Sequence, residues 1–146
     1  MKRLAKWIAT LGPIGYLPAP GTMGTLATLP LVYGLSMLSL KVQLLAIAFV
    51  VMISFFVIQQ ALTFFKVADP SHIVLDEVIG CLITFVGVAC TVQSLFAGFM
   101  LFRFFDIAKP FGIKKVEKLP GAWGVLLDDC VAGLCANVVL QILMQC

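Results

Sequence analysis

Residues 78–102 read VIGCLITFVGVACTVQSLFAGFMLF and contain no charged side chain. A straight helix of this length would be about 37 Å long at 1.5 Å per residue, which is more than the roughly 30 Å hydrocarbon core of a bilayer. It would place Glu77 and Arg103, the charged residues at its two ends, on opposite faces of a membrane. The way this segment folds therefore decides whether the charged residues of the chain can meet.

The middle of this segment favours a break in the helix. The sequence VACTVQS at 88–94 places β-branched residues next to a Gln-Ser pair that can cap a new helix. We predict two short helices, at about 79–89 and 94–104, that dip into a membrane and return to the same face. Neighbouring helices must shield such a re-entrant turn from lipid. One continuous span over 78–102 is the alternative.

The composition of the rest of the chain is that of a membrane protein. Hydrophobic residues make up 62% of the 146 residues and the mean hydropathy is +1.10, both far above the usual values for soluble domains. Three further charge-free runs, 22–40, 42–65 and 130–146, are about long enough to cross a bilayer. We predict one all-α domain over 1–146, an integral membrane helical bundle with a basic interfacial helix at 2–11.

The charged residues lie outside these apolar runs. All seven acidic residues fall between Asp69 and Asp129, and a re-entrant pair would place nine of the ten Lys and Arg residues on one face. The positive-inside rule identifies that face as cytoplasmic. A net charge of +3 without a basic tract argues against nucleic acid as a partner, and the five cysteines lack the CxxC spacing of metal sites.

The first polar cluster is PAPGTMGT at 18–25. Thr22 can cap the helix that follows, and Gly21 lets backbone N–H groups approach a ligand closely. A helix N-terminus of this kind suits a phosphate, and we assign phosphate contacts to Gly21, Thr22 and Thr25. An ordinary capped turn is the alternative.

The second polar cluster is DPSHIVLDEVIG at 69–80, with carboxylates at Asp69, Asp76 and Glu77. The acidic pair opens the next helix, where the helix dipole favours negative charge, so simple capping is the alternative to a ligand role. His72 is the only histidine of the chain. We interpret it as a loop or interface residue rather than a general base.

A third cluster places Arg103, Asp106 and Lys109 at helical spacing, so that the three side chains project to one side. A guanidinium can hold phosphate oxygens with two hydrogen bonds, and a lysine adds a point charge. Asp128 and Asp129 stand at the start of the last apolar run. A solvated ion-pair network is the alternative for this cluster.

A short internal similarity links the last two clusters. LDEVIG at 75–80 and LDDCVAG at 127–133 each place an acidic pair before an apolar helix with an early glycine. Gly80 and Gly133 should allow the two helices to pack closely.

Converging carboxylates predict a metal site. Two of them 4 Å apart repel by about 4 kcal/mol at an effective dielectric of 20, and a bound cation offsets that cost. Oxygen ligands without thiolate or imidazole favour a hard ion such as Mg²⁺, which can polarise a phosphoryl oxygen and orient an attacking water. Phosphate-ester hydrolysis is therefore the predicted chemistry.

The chain resembles the phosphatidylglycerophosphatase A family. It departs from the family pattern at Gly112 and Ala122, which changes loop geometry and leaves every charged motif position intact. The resemblance rests on four ordered motifs: APGTMGTL at 19–26, DPSHIVLDEVIG at 69–80, FRFFDIAKP at 102–110 and LPGAWGVLLDDCVAG at 119–133.

The resemblance implies a Mg²⁺-dependent enzyme that removes the terminal phosphate of phosphatidylglycerophosphate and leaves phosphatidylglycerol. The acidic positions of the family motifs, which are the expected Mg²⁺ ligands, fall on Asp69, Asp76, Glu77, Asp106, Asp128 and Asp129. Metal binding is assigned first to Glu77, Asp128 and Asp129, and phosphate contact to Arg103 and Lys109. The catalytic residues are then Asp128, Asp129, Arg103 and Lys109.

The expected location is the bacterial cytoplasmic membrane, with several spans, a cytoplasmic active site and a phospholipid substrate in the bilayer. No obligatory protein partner is expected, and a homo-oligomer stays open. A non-catalytic cation transporter or scaffold subunit is the alternative function. Transport would normally place an ionisable residue inside a spanning segment, and the apolar runs contain none.

Overall fold

Helices make up the regular structure of the chain, in a computed structural model that describes residues 2–65, 71–110 and 112–145. The described part contains no strand, which confirms the all-α prediction. A 3-10 turn at Ile14–Tyr16 follows the first helix. The helices are α1 Lys2–Ala9, α2 Pro20–Ser36, α3 Leu40–Leu62, α4 Leu75–Thr84, α5 Val92–Ala108, α6 Ile113–Val116 and α7 Ala122–Gln145.

Two of the described helices, α3 and α7, are long and apolar enough to cross a membrane. The outer face of α3 exposes large apolar side chains, among them Leu45, Phe49 and Phe56, as a helix facing lipid would. The charge-free run at 22–40 lies mostly in α2, which ends at Ser36 and has 17 residues, with Pro30 in its interior. At 1.5 Å per residue α2 is about 25 Å long.

The segment 78–102 is broken into two helices, as its sequence predicts. α4 ends at Thr84, and α5 begins at Val92 after a capping box at Thr91. In this box the Ser94 amide donates to Thr91 Oγ1 at 3.1 Å, and the Thr91 amide donates to Ser94 Oγ at 2.8 Å. The predicted bounds are displaced: α4 begins four residues before 79, and α5 continues to 108.

Side chains from the neighbouring helices satisfy the backbone of the turn between α4 and α5. Asn137 of α7 donates from Nδ2 to the carbonyl oxygens of Thr84 at 2.8 Å and Val86 at 2.9 Å. The Gly87 amide donates to Gln43 Oε1 of α3 at 3.1 Å. Non-helical backbone at membrane depth is tolerated only when protein groups satisfy it in this way. The contacts thus support a re-entrant pair.

We expect Asn137→Leu to destabilise the protein by about 2 kcal/mol, because the buried Thr84 carbonyl would lose its side-chain donor and the Val86 carbonyl would keep only the longer bond from Gln141. The corresponding fall in Tm is about 5 °C or more, measured by thermal unfolding in detergent. Gln145→Leu on the exposed end of α7 is the matched control and should leave Tm unchanged. Equal Tm values for the two variants would contradict a structural role of Asn137.

Close packing of α4 against α7 brings the two acidic pairs together. A Cβ atom added at Gly133 would collide with the carbonyl oxygen of Gly80, and one added at Gly80 would lie 2.8 Å from the carbonyl oxygen of Asp129. The backbones of the two helices therefore approach at positions that accept only glycine. The predicted contact of the two helices at these glycines is confirmed.

The start of α7 differs from the prediction. α7 begins at Ala122, whose amide donates to Gln59 Oε1 of α3 at 3.1 Å. Asp128 and Asp129 consequently lie in the second turn of the helix and not at its beginning. The acidic pair is thus inside a helix that can span a membrane, contrary to the expectation that no such helix contains an ionisable residue.

The start of α2 also differs from the prediction. The helix begins at Pro20, and its N-cap is Ala19 in a left-handed conformation with φ of 54°. Proline suits the first helical turn because it has no amide hydrogen to satisfy. Thr22 lies three residues after the N-cap, inside the first turn of the helix, so the predicted cap is wrong.

Candidate active site

A polar cavity of about 260 Å³ lies where the N-terminal ends of α2 and α4, the C-terminal end of α5 and the second turn of α7 meet. It includes every charged residue that the sequence assigned to the site, except Asp69, which lies outside the described residues. Glu77 and Arg103 thus share one side of the bundle. The lining residues are Ala19, Pro20, Gly21, Ser71, Ile73, Asp76, Glu77, Arg103, Asp106, Lys109, Asp128 and Asp129.

Three carboxylates of this cavity form a group that could hold a metal ion. One oxygen each from Asp76, Glu77 and Asp129 lies within 4.8 Å of the others. Two ligands of one octahedral Mg²⁺ stand roughly 3 to 4 Å apart, so small side-chain rotations would bring the three oxygens to one ion. Glu77 Oε2 is buried and accepts no hydrogen bond from any described residue. The donor set therefore fits a hard divalent cation.

The electrostatic environment of Asp76 and Glu77, the acidic pair of α4, also favours a bound cation. Burial raises the pKa of Asp76 well above its ordinary value, and the neighbouring charge of Glu77 raises it further. Burial likewise raises the pKa of Glu77, and Asp106 adds to this increase, while hydrogen bonding with Asp76 and the charge of Arg103 oppose it. A bound cation stabilises the ionised forms and reverses these increases.

Arg103 is positioned by Asp106 and by α2. Its Nη1 lies 2.7 Å from Asp106 Oδ2, and both side chains are about 15% exposed. A Cβ atom added at Gly21 would collide with the Glu77 carboxylate and lie 3.0 Å from Arg103 Nη1. Arg103 Nε has no hydrogen-bond partner among the described residues. The guanidinium thus retains a donor for a phosphate. Gly21 lines the cavity close to Glu77 and Arg103, and its contact with a phosphate stays a prediction.

Lys109 lines the cavity together with Arg103 and Asp106. It is the C-cap of α5 and has a left-handed backbone with φ of 44°. Its Nζ lies 2.6 Å from Asp128 Oδ2 and 3.2 Å from Glu117 Oε2. Burial lowers the pKa of Lys109, but its two carboxylate partners raise it more, so the amine stays protonated.

This ion pair distinguishes the two aspartates of α7. Asp128 has Lys109 as a cationic partner, whereas Asp129 belongs to the three-carboxylate group. The assignment of Asp128 and Asp106 as metal ligands stays a prediction, because each has a basic partner in the cavity. Glu117 was not assigned from the sequence, since nothing in its spacing relates it to Lys109.

Two predicted phosphate contacts draw no support from the geometry. Thr22 and Thr25 are not among the described residues that line the cavity. Thr25 is fully buried, and its hydroxyl donates to the carbonyl oxygen of Gly21 at 2.8 Å. Ser71 does line the cavity and was not assigned, although it lies within the acidic motif at 69–80.

His72 lies in the loop before α4 and packs on the turn that follows α1, in agreement with its interpretation as a loop or interface residue. Its Nδ1 lies 2.9 Å from the carbonyl oxygen of Gly15, and its ring stacks on Tyr16 with centroids 4.9 Å apart. The described lining of the cavity does not include it.

Comparisons with known proteins find a matching family model and related proteins. Residues 7–144 match the family model described as Phosphatidylglycerophosphatase A. The phosphatidylglycerophosphatase A of Haemophilus influenzae is 36% identical over an alignment of 148 positions, gaps included, which covers 92% of this chain and 91% of that protein. That of Escherichia coli is 33% identical over 123 residues, which cover 83% of this chain and 72% of that protein.

A third relative matches a shorter segment. A putative phosphatidylinositol-3-phosphatase of Bacteroides thetaiotaomicron is 38% identical over 77 residues, which cover 51% of this chain and 48% of that protein. No solved structure gives a significant match.

Proposed function

The chain belongs to the phosphatidylglycerophosphatase A family, and from this membership and the cavity we propose that it hydrolyses the terminal phosphomonoester of phosphatidylglycerophosphate. Water adds to phosphorus, the lipid oxygen leaves as an alcohol, and the products are inorganic phosphate and phosphatidylglycerol. The observation that carries the proposal is the convergence of three carboxylates with Arg103 and Lys109 in one cavity.

The proposed cofactor is Mg²⁺, held by Asp76, Glu77 and Asp129. The support for it is the oxygen-only donor set and the unpartnered Glu77 Oε2. A divalent ion in this position supplies a Lewis acid that stabilises negative charge on phosphoryl oxygens.

The basic residues of the cavity bind and orient the phosphate. Arg103, held by Asp106, can donate two hydrogen bonds to non-bridging phosphate oxygens. Lys109 is held in place by Asp128 and contributes a fixed positive charge. Such pre-positioned charges lower the barrier to phosphoryl transfer because they need no reorganisation as charge develops.

The proposed location is the bacterial cytoplasmic membrane, with several spans and the cavity on the cytoplasmic face. The relatives named phosphatidylglycerophosphatase A are bacterial, and α3 and α7 are long enough to span. Lys41 at the start of α3 lies at the opposite end of that helix from the cavity side. The clustering of the other basic residues in the polar segments supports the cytoplasmic orientation.

Phosphate release from phosphatidylglycerophosphate tests this function. We expect the purified chain in mixed micelles to release phosphate with Mg²⁺ present, and removal of divalent ions by a chelator to slow release at least about 100-fold. Adding Mg²⁺ back should restore the rate, and chelator already saturated with Mg²⁺ is the control.

Two results would count against the proposal. Full activity in metal-free buffer would remove the metal from the mechanism. Metal flux into liposomes without any phosphatase activity would instead favour a transporter.

A further inference from the structure

An apolar groove on α5 adjoins the polar cavity. Met100, Phe104, Ile107 and Ala108 line it together with Arg103, and its volume is about 300 Å³. Met100, Phe104 and Ile107 are 52%, 60% and 70% exposed. These side chains form an open apolar surface beside the charged site.

Arg103 belongs to both the groove and the cavity. Its guanidinium pairs with Asp106 inside the cavity, while an arginine side chain also has an apolar stem that packs on apolar groups. One side chain therefore separates the place where a phosphate would bind from the groove.

A lipid phosphomonoester carries its phosphate and its acyl chains on one molecule. When the phosphate is in the cavity, a chain must leave across a surface that adjoins it. Of the other described apolar pockets, the one between α1 and α2 at Trp7 and Leu31 shares no lining residue with the cavity. The same is true of the pocket at Phe105 and Val138 between α5 and α7. The α5 groove alone among these described pockets is joined to the cavity by a shared residue.

We infer that this groove binds an acyl chain of the substrate, so that the enzyme acts on the membrane lipid in preference to a chain-free phosphomonoester that also fits the cavity. The inference rests on the proposed function. The exposed face of α5 continues from Met100 to Phe96 and Val92, each four residues apart and therefore on one side of the helix. A chain in the groove can follow this face towards the turn between α4 and α5.

Kinetics with two substrates test the groove. One substrate is long-chain phosphatidylglycerophosphate in mixed micelles, and the other is its chain-free head group, glycerophosphoglycerophosphate. For Phe104→Ala we expect kcat/KM on the lipid to fall about tenfold, the effect of losing one well-packed apolar contact. The chain-free substrate should change less than about twofold. Phe49→Ala, on the outer face of α3 and 58% exposed, is the matched control and should change neither.

Crosslinking gives a readout that does not depend on turnover. A phosphonate analogue of the lipid with a diazirine on its acyl chain should label 100–108, and unlabelled lipid substrate should compete. Equal labelling of Phe49 and Phe56 on α3 would indicate general lipid contact and overturn the inference. Equal losses on both substrates in Phe104→Ala, unchanged lipid turnover in that variant, or a second copy of the chain crosslinked over the groove would also overturn it.

The two proposals fail in different ways. If the wild type hydrolyses neither substrate but α5 is labelled competitively, acyl-chain binding in the groove is supported and the proposed function is wrong. If the wild type hydrolyses the lipid and Phe104→Ala does so equally well, the proposed function is supported and acyl-chain binding in the groove is wrong.

Discussion

Asp129→Asn is expected to reduce phosphate release at least about 1000-fold, a loss of about 4 kcal/mol of transition-state stabilisation. Asp129 is 3% exposed, and one of its oxygens lies within 4.8 Å of oxygens of Asp76 and Glu77. The substitution keeps the shape of the side chain and removes its negative charge. The three-carboxylate group would lose a ligand while the packing of α7 stays the same.

Stability measurements separate loss of the metal site from loss of the fold. Asp129→Asn relieves repulsion among buried carboxylates, so Tm in metal-free detergent should equal or exceed that of the wild type. A ligand that binds only the folded state raises Tm, and the increase produced by Mg²⁺ in the wild type should be absent in the variant.

Glu117→Gln is the matched control for Asp129→Asn. Glu117 is another acidic residue of the same region, it contacts Lys109 from outside the described cavity lining, and its side chain is 37% exposed. We expect its loss to change the rate by less than about threefold, since exposed ion pairs contribute little. A near-normal rate in Asp129→Asn, or a wild-type Mg²⁺ effect on its Tm, would remove Asp129 from the site.

The break in 78–102 could be predicted because its signal is local. β-branched and polar residues in the middle of an apolar run favour a helix end wherever the rest of the chain lies. The convergence of Glu77 and Arg103 follows from that break, because a returning pair of helices places its outer ends together. Most of the cavity could therefore be predicted from the positions of charges relative to apolar runs.

One of the two helix starts that were missed involves a distant residue. The amide of Ala122, the first residue of α7, donates to Gln59 of α3, 63 positions away in sequence. Nothing in the apolar pattern after Asp129 indicates that partner. The result matters for the site, since a helix that begins earlier places the acidic pair deeper in the bundle.

The separate roles of Asp128 and Asp129 could not be predicted from helical spacing either. Spacing places Lys109 on the side of Arg103 and Asp106 but does not indicate Asp128, which Lys109 contacts from a left-handed position at the end of α5. A non-glycine residue at positive φ is held there by its surroundings, which one sequence does not show. The choice of Asp129 for the three-carboxylate group follows from that contact.

Arg103→Lys should reduce kcat/KM for phosphatidylglycerophosphate about 100-fold, although it keeps the positive charge. The guanidinium pairs with Asp106 through Nη1 and still has Nε without a partner among the described residues. A lysine amine is a single point charge and cannot hold Asp106 and two phosphate oxygens in one plane. Arg103→Ala should lose more, because Asp106 would then add an uncompensated negative charge to the cavity.

Lys114→Met is the matched control for Arg103→Lys, because Lys114 is an exposed basic residue that does not line the described cavity. Its loss changes only the net charge near the membrane surface, so kcat/KM should stay within about twofold of the wild-type value. Should Arg103→Lys retain the wild-type rate, charge alone would suffice and the geometry of the guanidinium would have no role in catalysis. A loss in Arg103→Lys with normal Tm and a normal Mg²⁺ effect on Tm would assign the defect to phosphate binding and not to the three-carboxylate group.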